Sequence, residues 1–229
     1  TNVERFRPVP RDEARHQVGL DHTDLLITYV GRMLPRKDVR NIVRALALLP
    51  TLTADGRRIK LLIVGGESSA PDRSSTPEIG VLQDLAGDLG VAERVQFVGK
   101  RQPDVLRDYY SAGDIVVTTP WYEPFGLTPL EAMACGRPVI GSAVGGIAFT
   151  VQDGVTGLLV PPRDPRALAA ALSQLIAQPT LREQMGRAAR ARVEREFTWA
   201  TVAARTAALY DELIETAPTA LRSRSVGAL

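Results

Sequence analysis

The chain has 229 residues, 45% hydrophobic and 24% charged, an ordinary globular balance with apolar material for a sizeable core. A formal net charge of +2 gives no bulk support to a nucleic-acid partner, and no stretch approaches the roughly 20 apolar residues of a membrane-spanning helix. A single cysteine, Cys135, excludes an internal disulfide, and only His16 and His22 are available for a histidine-based metal site or catalytic triad.

The opening TNVERFRPVP has no signal-peptide pattern, and together with the lone cysteine this leads us to expect a cytoplasmic protein. Residues 25–30 (LLITYV) read as a buried strand closed by Gly31, and 39–49 carry helical periodicity. A second strand, 60–64, ends at Gly65-Gly66. The Ser- and Pro-rich segment 67–77 reads as a loop over the sheet edge, followed by a helix across 78–90. A third strand, 94–98, ends at Gly99, and a helix over 104–112 leads to a strand at 114–119. Helix 129–135, strand 138–141 and a short strand at 157–160 come next. Three Ala- and Arg-rich helices are expected at 164–178, 181–196 and 199–215, then a poorly ordered tail at 217–229.

Apolar strands alternating with helices predict an α/β domain over residues 1–216. We expect a Rossmann-like parallel sheet of about six strands with helices on both faces. In such sheets ligands bind outside the carboxyl ends of the strands, where Gly31, Gly65 and Gly99 would let them approach the backbone.

The chemistry concentrates in 120–136, PWYEPFGLTPLEAMACG. Pro124, Gly126 and Pro129 prevent Glu123 and Glu131 from sharing one helix, so Glu123 belongs to the preceding loop. A helix starting near Thr128 would have Thr128 as N-cap, Pro129 next and Glu131 at the third position, a capping-box pattern. Glu131 then has a purely structural reading beside a ligand-binding one. The backbone N–H groups of Gly126, Leu127 and Thr128 at a helix start suit a phosphate. Glu123 has no evident structural task in the loop and would suit sugar hydroxyls better than phosphate.

Two basic groups are further candidates. Arg32 and Lys37 lie in the loop after the first strand, and Val98, Lys100 and Arg101 belong to the turn after the third; each group also has a bland reading as solvated cations. Gly145-Gly146 reads as a turn near the site, and Cys135 as a packed small side chain. No GxGxxG follows a strand, no GxxxxGK[ST] occurs and no DxD pair stands in a loop. This disfavours a dinucleotide-dependent dehydrogenase, a P-loop NTPase and a metal-bridged sugar donor.

Together these segments resemble the retaining glycosyltransferases of family four. EPFGLTPLE is similar to their E-x7-E signature, and GR…K at 31–37, GG at 65–66, FVGK at 97–100 and VGGIAFTVQDGVTGLLVPPRD occur in the same order. The resemblance spans nearly the whole chain as the C-terminal, donor-binding domain of the two-domain GT-B fold. It implies transfer of a sugar, expected to be a hexose, from a nucleoside-diphosphate sugar with retention of configuration, without a metal or other cofactor.

Carried over residue by residue, it puts Glu123 on the sugar hydroxyls, with Arg32 and Lys37 gripping the diphosphate as catalytic cations. Gly31 would belong to that turn. The backbone at Phe125, Gly126 and Leu127 would support the sugar and distal phosphate, Leu127 and Thr128 would contact the diphosphate, and Glu131 would bind the ribose. Val98, Lys100 and Arg101 would meet the base. The family has Lys-Gly where Asp38 follows Lys37, which puts the shape of that loop in doubt.

The loop at 66–77 resembles the sucrose-phosphate-synthase-like and glycosyl-inositol-forming branches, favouring a UDP- or ADP-sugar over a GDP-sugar. The resemblance also implies an N-terminal acceptor domain outside these 229 residues, against which helices 181–215 would pack, so that the chain alone binds donor but transfers sugar slowly or not at all. A nucleotide-sugar 2-epimerase and a non-catalytic sugar-nucleotide-binding module are the alternatives.

Overall fold

The structure is a computed structural model that describes residues 1–216. The tail expected at 217–229 lies outside the described residues. Six strands, β1 (Leu25–Val30), β2 (Ile59–Val64), β3 (Val95–Gly99), β4 (Ile115–Thr118), β5 (Val139–Ser142) and β6 (Gly157–Val160), form one parallel sheet in the order β3-β2-β1-β4-β5-β6. The expected fold class holds.

The helices are α1 (Arg11–Gln17), α2 (Val39–Ala47), α3 (Pro77–Asp88), α4 (Pro103–Ala112), α5 (Leu127–Ala134), α6 (Gly145–Thr150), α7 (Pro165–Ala177), α8 (Pro179–Glu196) and α9 (Trp199–Thr216). Alternate strand residues face opposite sides. Leu25, Ile27 and Tyr29 of β1 pack with Ile42 and Leu46 of α2 and Leu168 and Leu172 of α7. Leu26 and Val30 face the other layer, with Tyr110 of α4, Leu130 and Met133 of α5 and Val193 of α8. Every residue of β1 is buried, which explains its unbroken apolar run.

Two helices depart from the expected series. α1 reads as polar sequence because its inward side is formed by Ala14 and a fully buried arginine, Arg15. α6 begins on Gly145-Gly146, read from sequence as a turn. The last two helices also differ from each other. α8 buries Met185, Ala189 and Val193 against the sheet layer, whereas α9 buries nothing and leaves Leu209, Tyr210, Leu213 and Ile214 exposed. Of the helices expected at 181–215 to pack against a further domain, only α9 exposes large apolar side chains. The loop at 67–77 does cover the sheet edge: Lys100 N–H donates to the Ser68 carbonyl at 2.7 Å, directly beyond β3.

Candidate functional site

The strand order puts β1 beside β4 at the point where the chain diverges. The segment after β1 leads to α2 on one face, and the segment after β4 leads to α5 on the other. In open parallel sheets the ligand crevice lies at such a point, outside the carboxyl ends of the strands. Gly31 N–H donates to the Val64 carbonyl and Gly65 N–H to that of Gly99, each at 3.0 Å, so the three glycines lie side by side. Gly65 has φ 150°, and a Cβ there would stand 1.9 Å from the Gly31 carbonyl oxygen. Only glycine lets these two strand ends close up. Gly31, Arg32, Gly65, Gly66, Lys100 and Arg101 line a cleft of about 210 Å3.

Arg32 is exposed, and its guanidinium has no hydrogen-bond or ion-pair partner among the described residues. Its backbone is held from below, where the buried Tyr29 hydroxyl donates to the Arg32 carbonyl at 3.0 Å. Burial, then the negative charge of Glu123, raises the Tyr29 pKa and keeps that hydroxyl protonated. Lys37 ends a 3-10 turn, Pro35–Lys37, and the next residue, Asp38, adopts the left-handed conformation with φ 49°. Asp38 thus takes the backbone shape that glycine takes most easily, so the departure from Lys-Gly preserves the turn. The Asp38 carboxyl is buried, which raises its pKa, and its carbonyl accepts from Thr119 Oγ1 at 3.2 Å.

The Lys37 ammonium pairs with the Glu123 carboxylate across the crevice, both side chains being largely buried. Glu123 Oε1 also accepts weakly from Gly126 N–H at 3.4 Å. The expectation that Glu123 has no structural task is therefore corrected: its carboxylate ties its own loop to the loop of β1. The loop is also braced from behind. Gly146 N–H donates to the Glu123 carbonyl at 3.0 Å, and a Cβ on Gly146 would lie 2.0 Å from the Phe125 carbonyl oxygen. The two glycines at 145–146 are thus a positioning element, signalled in the sequence only by consecutive glycines after a strand.

The start of α5 also differs from expectation. Gly126, with φ 84°, is the N-cap and Leu127 is the first helical residue; Thr128 is not the cap, and no side chain caps this end. The N–H groups of Leu127 and Thr128 precede the first intrahelical acceptor, and no side chain among the described residues caps them. Glu131 falls too deep in the helix for a capping box. Instead its carboxylate accepts from Tyr110 Oη at 2.8 Å. Burial raises the Glu131 pKa, partly offset by this hydrogen bond and the amino terminus of the chain. Phe125 and Leu127 expose their side chains.

Arg101 is committed elsewhere, donating to Tyr109 Oη at 2.9 Å and to the Ser69 and Lys100 carbonyls at 2.8 and 2.9 Å. It fastens the 67–77 loop, while the Lys100 side chain has no partner among the described residues. Val98 is buried below this turn. Cys135 is buried, with its thiol pushed up to about 12 by desolvation, consistent with a packing role.

Residues 10–192 match the family model described as glycosyl transferases group 1. The chain belongs to this family. A D-inositol 3-phosphate glycosyltransferase of Gordonia bronchialis is 38% identical over 200 residues, covering 86% of this chain and 42% of the relative. Among solved structures, a sucrose-phosphate synthase from Thermosynechococcus elongatus superposes with a TM-score of 0.81 at 40% identity, covering 95% of this chain and 52% of that one. The Anabaena protein HepE, in complex with UDP and glucose, gives a TM-score of 0.79 at 25% identity, covering 93% and 55%. The group 1 glycosyltransferase domain is therefore the C-terminal half of a GT-B fold, and the chain spans about half the length of the relatives it matches. No described helix is long and apolar enough to cross a membrane.

Proposed function

We propose that this domain binds the donor of a retaining glycosyltransferase, a UDP-hexose, in the crevice between β1 and β4. The observation that carries this reading is the exposed Arg32, without a side-chain partner among the described residues, in a cleft of glycine-lined strand ends, on the loop that Lys37 ties to the Glu123 loop just before the uncapped start of α5. A fixed cation opposite a helix N-terminus suits a diphosphate. UDP is favoured over ADP because the Anabaena relative was crystallised with it.

In this reading the diphosphate lies between Arg32 and the backbone at Leu127 and Thr128. Glu131, oriented by Tyr110, accepts from the ribose diol, and the turn at Val98–Arg101 faces the base. The Lys37 ammonium has three donors and spends one on Glu123, so it also reaches the phosphate. Glu123 then accepts from sugar hydroxyls with its remaining lone pairs. As the sugar–oxygen bond breaks, negative charge grows on the departing diphosphate, and Arg32, Lys37 and the α5 dipole stabilise it without a resident metal. The acceptor and the groups that recognise it belong to an N-terminal domain outside this chain, so the domain alone binds donor and turns over poorly.

Calorimetric titration with UDP, ADP and GDP tests this. UDP should bind most tightly, and Arg32→Ala should weaken it about ten- to a hundredfold, the equivalent of about 1.5–3 kcal/mol for a charged hydrogen bond. Unchanged UDP affinity in that variant would sink the assignment.

A further inference from the structure

A second cleft, of about 400 Å3, lies at the opposite end of the sheet, between the segment leading into β5, the chain near Pro8 and Arg11, and the inner side of α8. It differs from the donor crevice in what is left unsatisfied. The Arg137 Nε is buried with no hydrogen-bond partner, and its guanidinium forms no ion pair among the described residues. The carboxylates lining the same cleft are already taken. Asp114 receives Arg11 at 2.5 Å, Arg15 at 2.8 Å and Arg57 at 3.4 Å. Glu194 is held by Arg190 at 2.7 Å, and Glu183 lies 3.9 Å from Arg187. Arg182 spends its guanidinium on the Leu175 and Ile176 carbonyls at 2.5 and 2.9 Å.

Five arginines therefore line this cleft against three carboxylates, and among the described residues Arg137 is the one whose side chain has no partner. A buried N–H without an acceptor is costly, and proteins keep one where something else completes it. Desolvation lowers the Arg137 pKa, offset in part by the negative charge of Asp114. The positive excess matches a dianion, the planar guanidinium matches phosphate oxygens, and the volume falls within the range of about 300–1,000 Å3 typical of small-molecule sites.

We propose that this cleft is a second ligand site, separate from the donor crevice, for a small molecule whose phosphate group sits on Arg137. The two sites lie at opposite ends of β5: Arg137 closely precedes the strand, and Gly145-Gly146, which brace the Glu123 loop, closely follow it.

Amide NMR of the whole chain tests the proposal, titrating inorganic phosphate in one arm and ribose 5-phosphate in the other at millimolar concentration. The expected result is saturable shifts at Gly136, Arg137 and Gly186 in at least one arm, lost in Arg137→Met and partly kept in Arg137→Lys. The arm that saturates at lower concentration identifies the source of the phosphate. Absence of these shifts in both arms, or their survival unchanged in Arg137→Met, overturns the proposal. Because Arg137 has no partner to lose, its variants should keep the dispersed amide spectrum, and the wild-type titration localises the site without them. Failure of the donor reading would appear at Gly31, Arg32 and Leu127 instead, so the two are read separately.

Discussion

The two ends of the sheet use the same residue type in opposite ways. At the amino end, Asp114 accepts three arginines and the Leu26 N–H, while the fully buried Arg15 also donates to the carbonyls of Ala112, His22 and Asp24. Almost every charge there is spent on the fold. At the carboxyl end, the Arg32 side chain has no partner among the described residues, no side chain caps the start of α5, and glycines replace side chains. Comparing them separates cations that hold the domain together from cations with no partner among the described residues. Arg137 is informative because it has the second character in the first neighbourhood.

The largest expected effect breaks the amino end. Asp114→Ala leaves Arg15 buried without its counter-charge and should cost about 3–5 kcal/mol in urea unfolding. Burial pushes the Asp114 pKa up, but the Leu26 N–H and the guanidiniums of Arg15, Arg11 and Arg57 outweigh it and hold it below the usual carboxylate value. A depressed folded pKa contributes stability above the unfolded value, about 3.9, that is lost as pH falls through the folded one. The variant should therefore lose less stability than the wild type on acidification below about pH 4. An unchanged acid slope would show that Asp114 is not the titrating group.

The next effect falls on the carboxyl end. Gly146→Ala puts a Cβ 2.0 Å from the Phe125 carbonyl oxygen and must push the Glu123 loop forward. Overpacking of this kind costs about 1–3 kcal/mol, and UDP affinity should drop at least as much as in Arg32→Ala, because several contacts move together. Full retention of UDP binding would show that the brace is not needed.

The smallest effect concerns Glu131. Tyr110→Phe removes one hydrogen bond, worth about 1 kcal/mol, and should weaken UDP about fivefold. The same bond holds the Glu131 pKa down against burial. UDP affinity lost on acidification, as Glu131 protonates, should therefore be lost at higher pH in the variant than in the wild type. Identical pH profiles would remove Glu131 from the ribose.

Most of the fold was legible because the strands are apolar runs, three of them ended by glycine, and all six lie within two residues of their expected bounds. α1 was not, because a buried arginine reads as surface until the carboxylate that pairs with it, Asp114, is seen across the fold. α6 was not, because Gly145-Gly146 argues locally against a helix that tertiary packing imposes. The candidate residues Arg32, Lys37, Glu123 and Glu131 were found from motif order. What sequence could not show was how they are engaged. Thr-Pro-Leu-Glu looks like a capping box, yet the left-handed Gly126 starts the helix first and moves Glu131 onto Tyr110. The Lys37–Glu123 pair joins loops that sequence treats separately.

The hydrogen bond from Gly146 to the Glu123 carbonyl gives the domain an internal reporter. That amide can exchange with solvent deuterium only when the loop after β4 lifts away from the start of α6, so its exchange rate measures how often the Glu123 loop opens. A ligand seated on the far side of that loop would slow this one amide without touching it.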